Sequence, residues 1–373
     1  MIYLDNSASS INKPDEVVNA LVVACRYFSA NPGRSSHSLA LRCARMVASA
    51  RKKITEFVGL SDGNIIFTDN CTGALNLATL GFVKKRCHII TSIFEHNALL
   101  RPLFALERAN MITLSIAKPE NSTFLTVDDI IPLFRPDTAL VAIGHISNVT
   151  GAVAPLFAIG QECRRRGITF LVDGAQSVGF CPVDMDKNNI DMLAIAPHKS
   201  LRAITGVGVL AVRNGVSLRP IKFGGTGYSS LSKIQPRDIP DGFESGTLPT
   251  APICALLKAV ERKSRCLEKE RLSIVRLSRY FYDKICKING VKPYCSCADN
   301  GIISFNIGDL PCAKVAEILS EQYDIATRSG LHCAPLIHQF LNTGGTVRIS
   351  IGCTNTISEL DFTLRAIGEI ASS

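Results

Sequence analysis

Between residues 60 and 215 the chain repeats one pattern: a short β-branched run, a stretch with helical periodicity, then another run. The runs are NIIFT, CHIITS, MITLSI, TALVAIGHI, ITFLVD, DMLAIA and GVGVLAV. They are apolar at nearly every position rather than at alternate ones, so both faces of each strand need cover. Short apolar strands alternating with helices of about 10–15 residues build βαβ units, and hence a mostly parallel sheet with helices on both sides. The expected fold class is α/β: a mostly parallel sheet of seven strands sandwiched by helices, with a smaller α+β domain.

The flanking segments differ in kind. Residues 14–28 and 36–58 read as amphipathic helices, with Pro14 near the start of the first and Gly59 closing the second. From Pro252 onward a long, charged, periodic stretch predicts one long helix or two consecutive ones. A strand (GIISFNI), a further helix, a turn-prone loop (RSGLHCAP) and a last strand (TVRISIG) follow. This divides the chain into a large α/β domain, 15–255, and a small α+β domain made of 1–14 plus 256–373.

A length of 373 residues accommodates both domains. The hydrophobic fraction of 46% and charged fraction of 20% are ordinary for a globular chain, which argues against disorder and fibrous repeats. No run approaches the ~18 apolar residues of a spanning helix, and MIYLDNSASS lacks a basic region followed by an apolar one. No membrane association is expected, and the expected location is the cytoplasm. Fourteen cysteines scattered without a repeating spacing predict reduced thiols rather than a disulfide framework. Cys295 and Cys297 have no second Cys/His pair at zinc-like spacing, so no metal is expected. The net charge of +9 is dispersed over short clusters such as RKK at 51 and RRR at 164, without a glycine- or aromatic-interleaved basic tract. Direct nucleic-acid binding is therefore not expected.

In open α/β sheets ligands bind beyond the C-terminal strand ends, so the residues just after each strand carry the functional information. After NIIFT, Asn70, Cys71, Thr72 and Gly73 lead into a helix. Taken alone this is an N-cap; with company it is a phosphate site, since free N–H groups, a hydroxyl and the helix dipole converge there. His96 follows CHIITS, and Asn148 follows TALVAIGHI; singly, each reads as a structural or turn residue. Asp173 ends a continuously apolar strand, where a carboxylate needs a partner or a cationic ligand. His198 and Lys199 follow another apolar strand, and partial burial would lower the lysine toward an amine that can form a Schiff base. Jointly, an amine, a carboxylate, Asn148, Gln176, two histidines and a helix N-terminus with Thr72 match what pyridoxal 5′-phosphate requires. Cys333, in RSGLHCAP, is displayed in a turn behind His332 and Arg328 rather than set in an apolar helix as Cys254 is in PICALL.

The motifs YLDNSASS, NPGRSSH, NCTGALNLA, FEHNA, SNVTG, VDGAQSVG, APHKS, FESGTLPT, RSGLHCAP and VRISIGCTNTISELD, in that order, resemble the cysteine desulfurases. These are fold-type I pyridoxal-phosphate enzymes of the class V aminotransferase family. The resemblance spans nearly the whole chain and implies the following roles. Lys199 would be the Schiff-base lysine, Asp173 the partner of the pyridine nitrogen, Gln176 the donor to the phenolic oxygen and His96 the imidazole stacked on the ring. Asn148 would contact cofactor and substrate; Thr72, in NCTG with Cys71, and His198 would hold the phosphate. Thr247 would reach the phosphate of a neighbouring protomer, implying a homodimer with shared active sites. Arg348 would clamp the substrate carboxylate, with Arg328 nearby. Cys333 would take the sulfur of L-cysteine as a persulfide, leaving L-alanine, and pass it to a protein acceptor. A neighbouring imidazole or guanidinium, from His332 or Arg328, would raise the thiolate fraction.

RSGLHCAP resembles the short-loop branch, which requires the acceptor to approach Cys333. Iron–sulfur cluster assembly, tRNA thiolation and cofactor synthesis are destinations such sulfur can take. Two departures stand out: Ala196 replaces a phosphate-binding Ser, with Thr226 as a substitute donor, and SLRAITGVG after Lys199 lacks the usual Gly-Pro turn and carries Arg202. Selenocysteine lyases and cysteine or cystine C–S lyases share most of this site. A low-turnover sulfur-relay scaffold and an ordinary aminotransferase are the readings of other kinds.

Overall fold

The computed structural model describes residues 1–33, 37–120, 122–295 and 298–372. Part of NPGRSSH and Cys297 of the CSC pair therefore lie outside the described residues. The chain opens with β1 (Ile2–Tyr3) and two helices, α1 (Asp15–Tyr27) and α2 (Ser38–Phe57). The alternating block follows: β2 (Gly63–Thr68), α3 (Cys71–Phe82), β3 (Cys87–Ser92), α4 (Asn97–Arg108), β4 (Ile112–Ala117), β5 (Thr138–Gly144), α5 (Leu156–Arg166), β6 (Thr169–Asp173), β7 (Met192–Ile195) and β8 (Gly208–Arg213). These strands form one seven-stranded sheet in the order β2-β8-β7-β6-β5-β3-β4, with β8 antiparallel to both neighbours and the rest parallel.

Cover on both faces follows from the continuous apolar runs. In β5, Leu140 and Ala142 pack into the cluster on one side of the sheet, while Val141 and Ile143 pack into the cluster on the other. In β6, Phe170 and Val172 face one cluster and Leu171 the other. Each fully buried Leu, Val, Ile or Phe among these contributes on the order of 1.5–3 kcal/mol of hydrophobic stabilisation. The strand order reverses beside β3, whose neighbours β4 and β5 both follow it in the chain, so the crevice of a doubly wound sheet opens at the ends of β3 and β5.

A single helix, α6 (Thr250–Ile285), leads out of this block. At 1.5 Å per residue it is about 54 Å long. Its first half packs in the main core through Ile253, Leu256 and Val260, and its second half in a separate core through Leu277 and Phe281. The chain continues through β9 (Val291–Pro293), β10 (Ile302–Ile307), α7 (Cys312–Tyr323), β11 (Ile325–Ala326), β12 (Arg328–Gly330), α8 (Pro335–Phe340), β13 (Thr346–Ser350) and α9 (Ile357–Ser372). An antiparallel sheet of order β12-β13-β10-β9 results, and β1 pairs with β11 in parallel. The segment expected to be wholly loop, RSGLHCAP, thus begins as a strand. A polar tripeptide ending in Gly has no periodicity to reveal this; pairing with β13 imposes it. Among the described residues no helix is long and apolar enough to cross a membrane.

Candidate active site

The ends of β3, β5, β6 and β7, with the first turn of α3, enclose a cleft of about 850 Å³ counted to its open mouth. Lys199 lines it, following the buried β7 through a turn closed by the Lys199 N–H on the Ala196 carbonyl at 3.2 Å. Burial lowers the Lys199 amine from its ordinary value, and Asp173 partly opposes this. Asp173 ends β6; burial raises its carboxyl, while the Ala175 N–H at 2.9 Å, Lys199 and Cys71 pull it down. A buried lysine and carboxylate that shift one another in a cleft are candidates for chemistry.

His96 caps α4: its Nδ1 accepts from the Ala98 N–H at 3.0 Å, so the ring proton sits on Nε2. Burial and then Lys199, Arg328 and Arg348 lower it to about 4, so the imidazole is neutral at pH 7. His198, also lowered to about 4 by burial, Lys199 and Lys13, lines the same cleft. Thr72 sits in the first turn of α3, where Asn70 Oδ1 caps the Gly73 N–H at 2.9 Å. The amides of Cys71 and Thr72 precede any intrahelical acceptor and are suited to an anion. Gly208 makes this placement possible, because a Cβ there would lie 2.2 Å from the Asn70 carbonyl carbon. Cys71 behaves differently from its neighbours in NCTG: its thiol points to Asp173 Oδ1 at 3.8 Å rather than outward with Thr72.

The opposite wall comes from the antiparallel sheet. β12 and β13 set Arg328 directly opposite Arg348, and both side chains line the cleft. Arg348 is fully buried; Nη2 pairs with Asp5 Oδ1 at 2.8 Å and Nη1 donates to the Asn148 carbonyl at 3.1 Å, while Nε is buried with no partner among the described residues. Asn148 Nδ2 donates to the His332 carbonyl at 2.7 Å, and the Asn97 N–H to the Cys333 carbonyl at 2.6 Å. His332 and Cys333 both adopt left-handed backbone conformations, φ +49° and +57°, which these two bonds hold in place. Cys333 Sγ lies 3.6 Å from Arg328 Nη2. The guanidinium is thus the charged group beside the sulfur. His332 does not share in this: its ring turns inward, Nε2 meets Thr346 Oγ1 at 3.0 Å, and burial followed by Arg348 lowers it to about 2. Of the two groups expected to activate Cys333, the guanidinium alone is in place.

Other expected residues fall as follows. Gln176 lines the cleft and donates to the Ser7 carbonyl at 3.1 Å. Thr247 is exposed beside a separate cavity and does not reach this cleft within the chain. Ala196 is a buried wall residue, and Thr226 does not replace its missing hydroxyl: it hydrogen-bonds the Tyr228 carbonyl at 3.2 Å, outside the cleft lining. Arg202 takes the turn after Lys199 at φ +58°, a conformation glycine would adopt freely. Its guanidinium compensates by donating from Nε to the Asn12 carbonyl at 2.8 Å and pairing with Glu270 on α6.

Sequence reasoning missed Asp5, the counter-charge of Arg348, and Glu95, which is buried in the cleft. Asp5 offers no local signal, since it meets Arg348 only where the segment after β1 bridges Ser350. Glu95 does carry one, a charged residue just past an apolar strand, the same signal that marks Asp173. Burial raises Glu95 to about 8, so it is mostly uncharged at pH 7. Lys199, Arg328 and Arg348 then outnumber the two carboxylates they face, Asp173 and Asp5, and the cleft favours anionic ligands.

The class-V aminotransferase family matches this chain over residues 2–362. A probable cysteine desulfurase of Methanothermobacter thermautotrophicus is 31% identical over 380 residues, covering 99% of this chain and 94% of that protein. The cysteine desulfurase of Haloferax volcanii is 27% identical, with 98% and 88% covered. Among solved structures, apo cysteine desulfurase from Thermococcus onnurineus superposes with a TM-score of 0.92 at 28% identity, covering 100% of this chain and 94% of that one. The Escherichia coli cysteine desulfurase CsdA, in an S-sulfonic acid form, gives 0.89 at 26% identity, with 99% and 94% covered.

Proposed function

The chain belongs to the class-V aminotransferase family, and from that premise we propose that it is a pyridoxal 5′-phosphate-dependent cysteine desulfurase, converting L-cysteine to L-alanine with transfer of sulfur to Cys333. The observation that carries the reading is the meeting of two halves at one cleft. Lys199 and Asp173 come from the large sheet, and Arg348 and Arg328, the latter against the Cys333 thiol, come from the small one.

The donor set fits the cofactor. Lys199 supplies the amine, Asp173 Oδ2 is touched by neither donor that binds Oδ1, and Thr72 with the start of α3 and His198 can hold a phosphate. His96 offers a neutral ring and Gln176 an amide along the same wall. When bound, pyridoxal phosphate supplies an electron sink for the charge left at the substrate Cα.

The protein's own residues perform the rest. Lys199, its amine eased toward neutrality by burial, takes the Cα proton and returns a proton later. Asp173 holds a proton at the ring nitrogen. Arg348 orients the substrate carboxylate, with Arg328 and Asn148 beside it. The Cys333 thiolate, beside Arg328, attacks the substrate sulfur: the substrate C–S bond breaks, an S–S bond to Cys333 forms, and alanine leaves once its carbon has taken up a proton. The persulfide's outer sulfur then passes to a protein acceptor, for which iron–sulfur cluster assembly is one destination.

We also place the enzyme as a homodimer. Thr247 is exposed outside its own cleft, beside a segment, 221–234, whose Phe223, Leu231 and Ile234 are 74%, 101% and 75% exposed. A second copy covering that apolar surface would bring Thr247 toward the neighbouring site. We further propose a cytoplasmic location, in line with fourteen cysteines scattered without a repeating spacing.

The test is paired alanine and sulfide release from L-cysteine with dithiothreitol, for the wild type and Cys333→Ala, with the visible absorbance of both recorded. Alanine production lost in the variant, with the cofactor band kept, supports the persulfide route. A variant as active as the wild type overturns it in favour of direct C–S lysis.

A further inference from the structure

Asp173 receives two side-on donors, and both fall on the same oxygen. The Ala175 N–H reaches Oδ1 at 2.9 Å, and Cys71 Sγ reaches Oδ1 at 3.8 Å, a hydrogen-bonding distance for sulfur. Oδ2 is left to the cleft. Cys71 is the first residue of α3 and is buried. Burial and the Asp173 charge raise its thiol well above the ordinary value, against a smaller opposing effect of Lys199, so the sulfur keeps its proton and acts as donor rather than nucleophile. Its position is rigid, because the close approach of Gly208 to Asn70 fixes where α3 begins.

We infer that Cys71 is a positioning residue for the ring-nitrogen end of the cofactor: its S–H holds Asp173 by Oδ1, so that Oδ2 faces the cleft as an ionised acceptor. The inference rests on the cofactor reading above and assigns Cys71 away from the phosphate end, where Thr72 stands. Its physical basis is that a hydrogen bond to the charged form of a carboxyl stabilises that form. Three groups set the ionisation of Asp173 from the surrounding elements: Cys71 at the start of α3, Lys199 after β7 and Glu95 after β3. Lys199 and Cys71 favour the carboxylate, whereas Glu95, if ionised, would oppose it. Without the thiol, Oδ1 keeps only the Ala175 amide, and Asp173 becomes easier to protonate.

The experiment uses cofactor-stripped full-length protein titrated with pyridoxal 5′-phosphate, following visible absorbance across pH, for the wild type, Cys71→Ala and Cys71→Ser. Alanine is well tolerated in a helix, and Ser restores an O–H donor of similar size. The expected result is a dissociation constant about three- to tenfold weaker for Cys71→Ala, with the acid edge of the bound-cofactor spectrum moved to higher pH, and a Ser variant within about twofold of wild type. Wild-type behaviour of Cys71→Ala in both measurements would overturn the inference. So would equal shifts in the Ala and Ser variants, which would assign the effect to volume. A wild type that takes up no pyridoxal phosphate would instead overturn the cofactor reading itself, and the inference with it.

Discussion

Replacing Glu95 by Gln should make the protein progressively more stable than wild type as pH rises. Glu95 sits at the end of β3, buried, with its carboxyl against Ser92 Oγ and against the Gly144 N–H at 2.6 Å. Gln preserves both contacts, its amide oxygen accepting from Gly144 and its amide nitrogen donating to Ser92. What it removes is the charge. Burial, helped by the nearby Asp173, raises the carboxyl from 4.5 to about 8. A carboxyl raised by folding contributes stability that is fully present below 4.5 and is lost as pH climbs through about 8, at about 1.4 kcal/mol per unit over most of that span.

Between pH 6 and pH 8 the wild type should therefore lose about 2 kcal/mol that the variant does not. Using an unfolding entropy of about 2.1 cal/mol/K per residue, that corresponds to about 3 °C for a chain of this length. The assay is thermal unfolding of both proteins at pH 6, 7 and 8, reading only the difference in Tm, so that the other titrating groups cancel. The gap should widen by about 3 °C in favour of the Gln variant. A gap that stays constant, or that closes as pH rises, would mean that Glu95 is already ionised in the native protein and would refute the reasoning.

Two other perturbations follow from the same structure. Asn148→Ala removes the amide that holds the His332 carbonyl beneath two left-handed residues, so persulfide formation on Cys333, followed by mass spectrometry in a single turnover, should slow about tenfold or more. Glu270→Gln leaves Arg202, Arg262 and Lys263 without their shared carboxylate and should cost about 3–5 kcal/mol in denaturant unfolding. Glu270 is held down at about 2 against the cost of its burial, so its contribution is present above 4.5, and the penalty should shrink as pH falls toward 2.

The sheet and the residues at its strand ends were legible in the chain because continuous apolar runs must be buried on both faces, and parallel strands deliver whatever follows them to one edge. Lys199, Asp173, His96 and Asn148 were found in that way, and Glu95 could have been. Arg328 and Arg348 were legible only through motif resemblance, since nothing local in RSG or TVRIS says that the two strands pair. Asp5 lies just past the two-residue strand β1 and bridges Ser350, more than three hundred positions away, and that separation carries no periodic signal.

By itself, then, the amino-acid order determined the alternating architecture, the inventory of amine, carboxylate, imidazole and thiol, and their arrival at one side of a sheet. Tertiary structure decided what each group is. It turned His332 inward and neutral, gave Cys333 a guanidinium for a neighbour, pointed the Cys71 thiol at Asp173 and left Glu95 mostly uncharged. It also let Arg202 keep a backbone conformation suited to glycine by tying it to Asn12 and Glu270. Ionisation and hydrogen-bond direction depend on burial and on charges a few ångströms away, and those distances exist only once remote segments have packed.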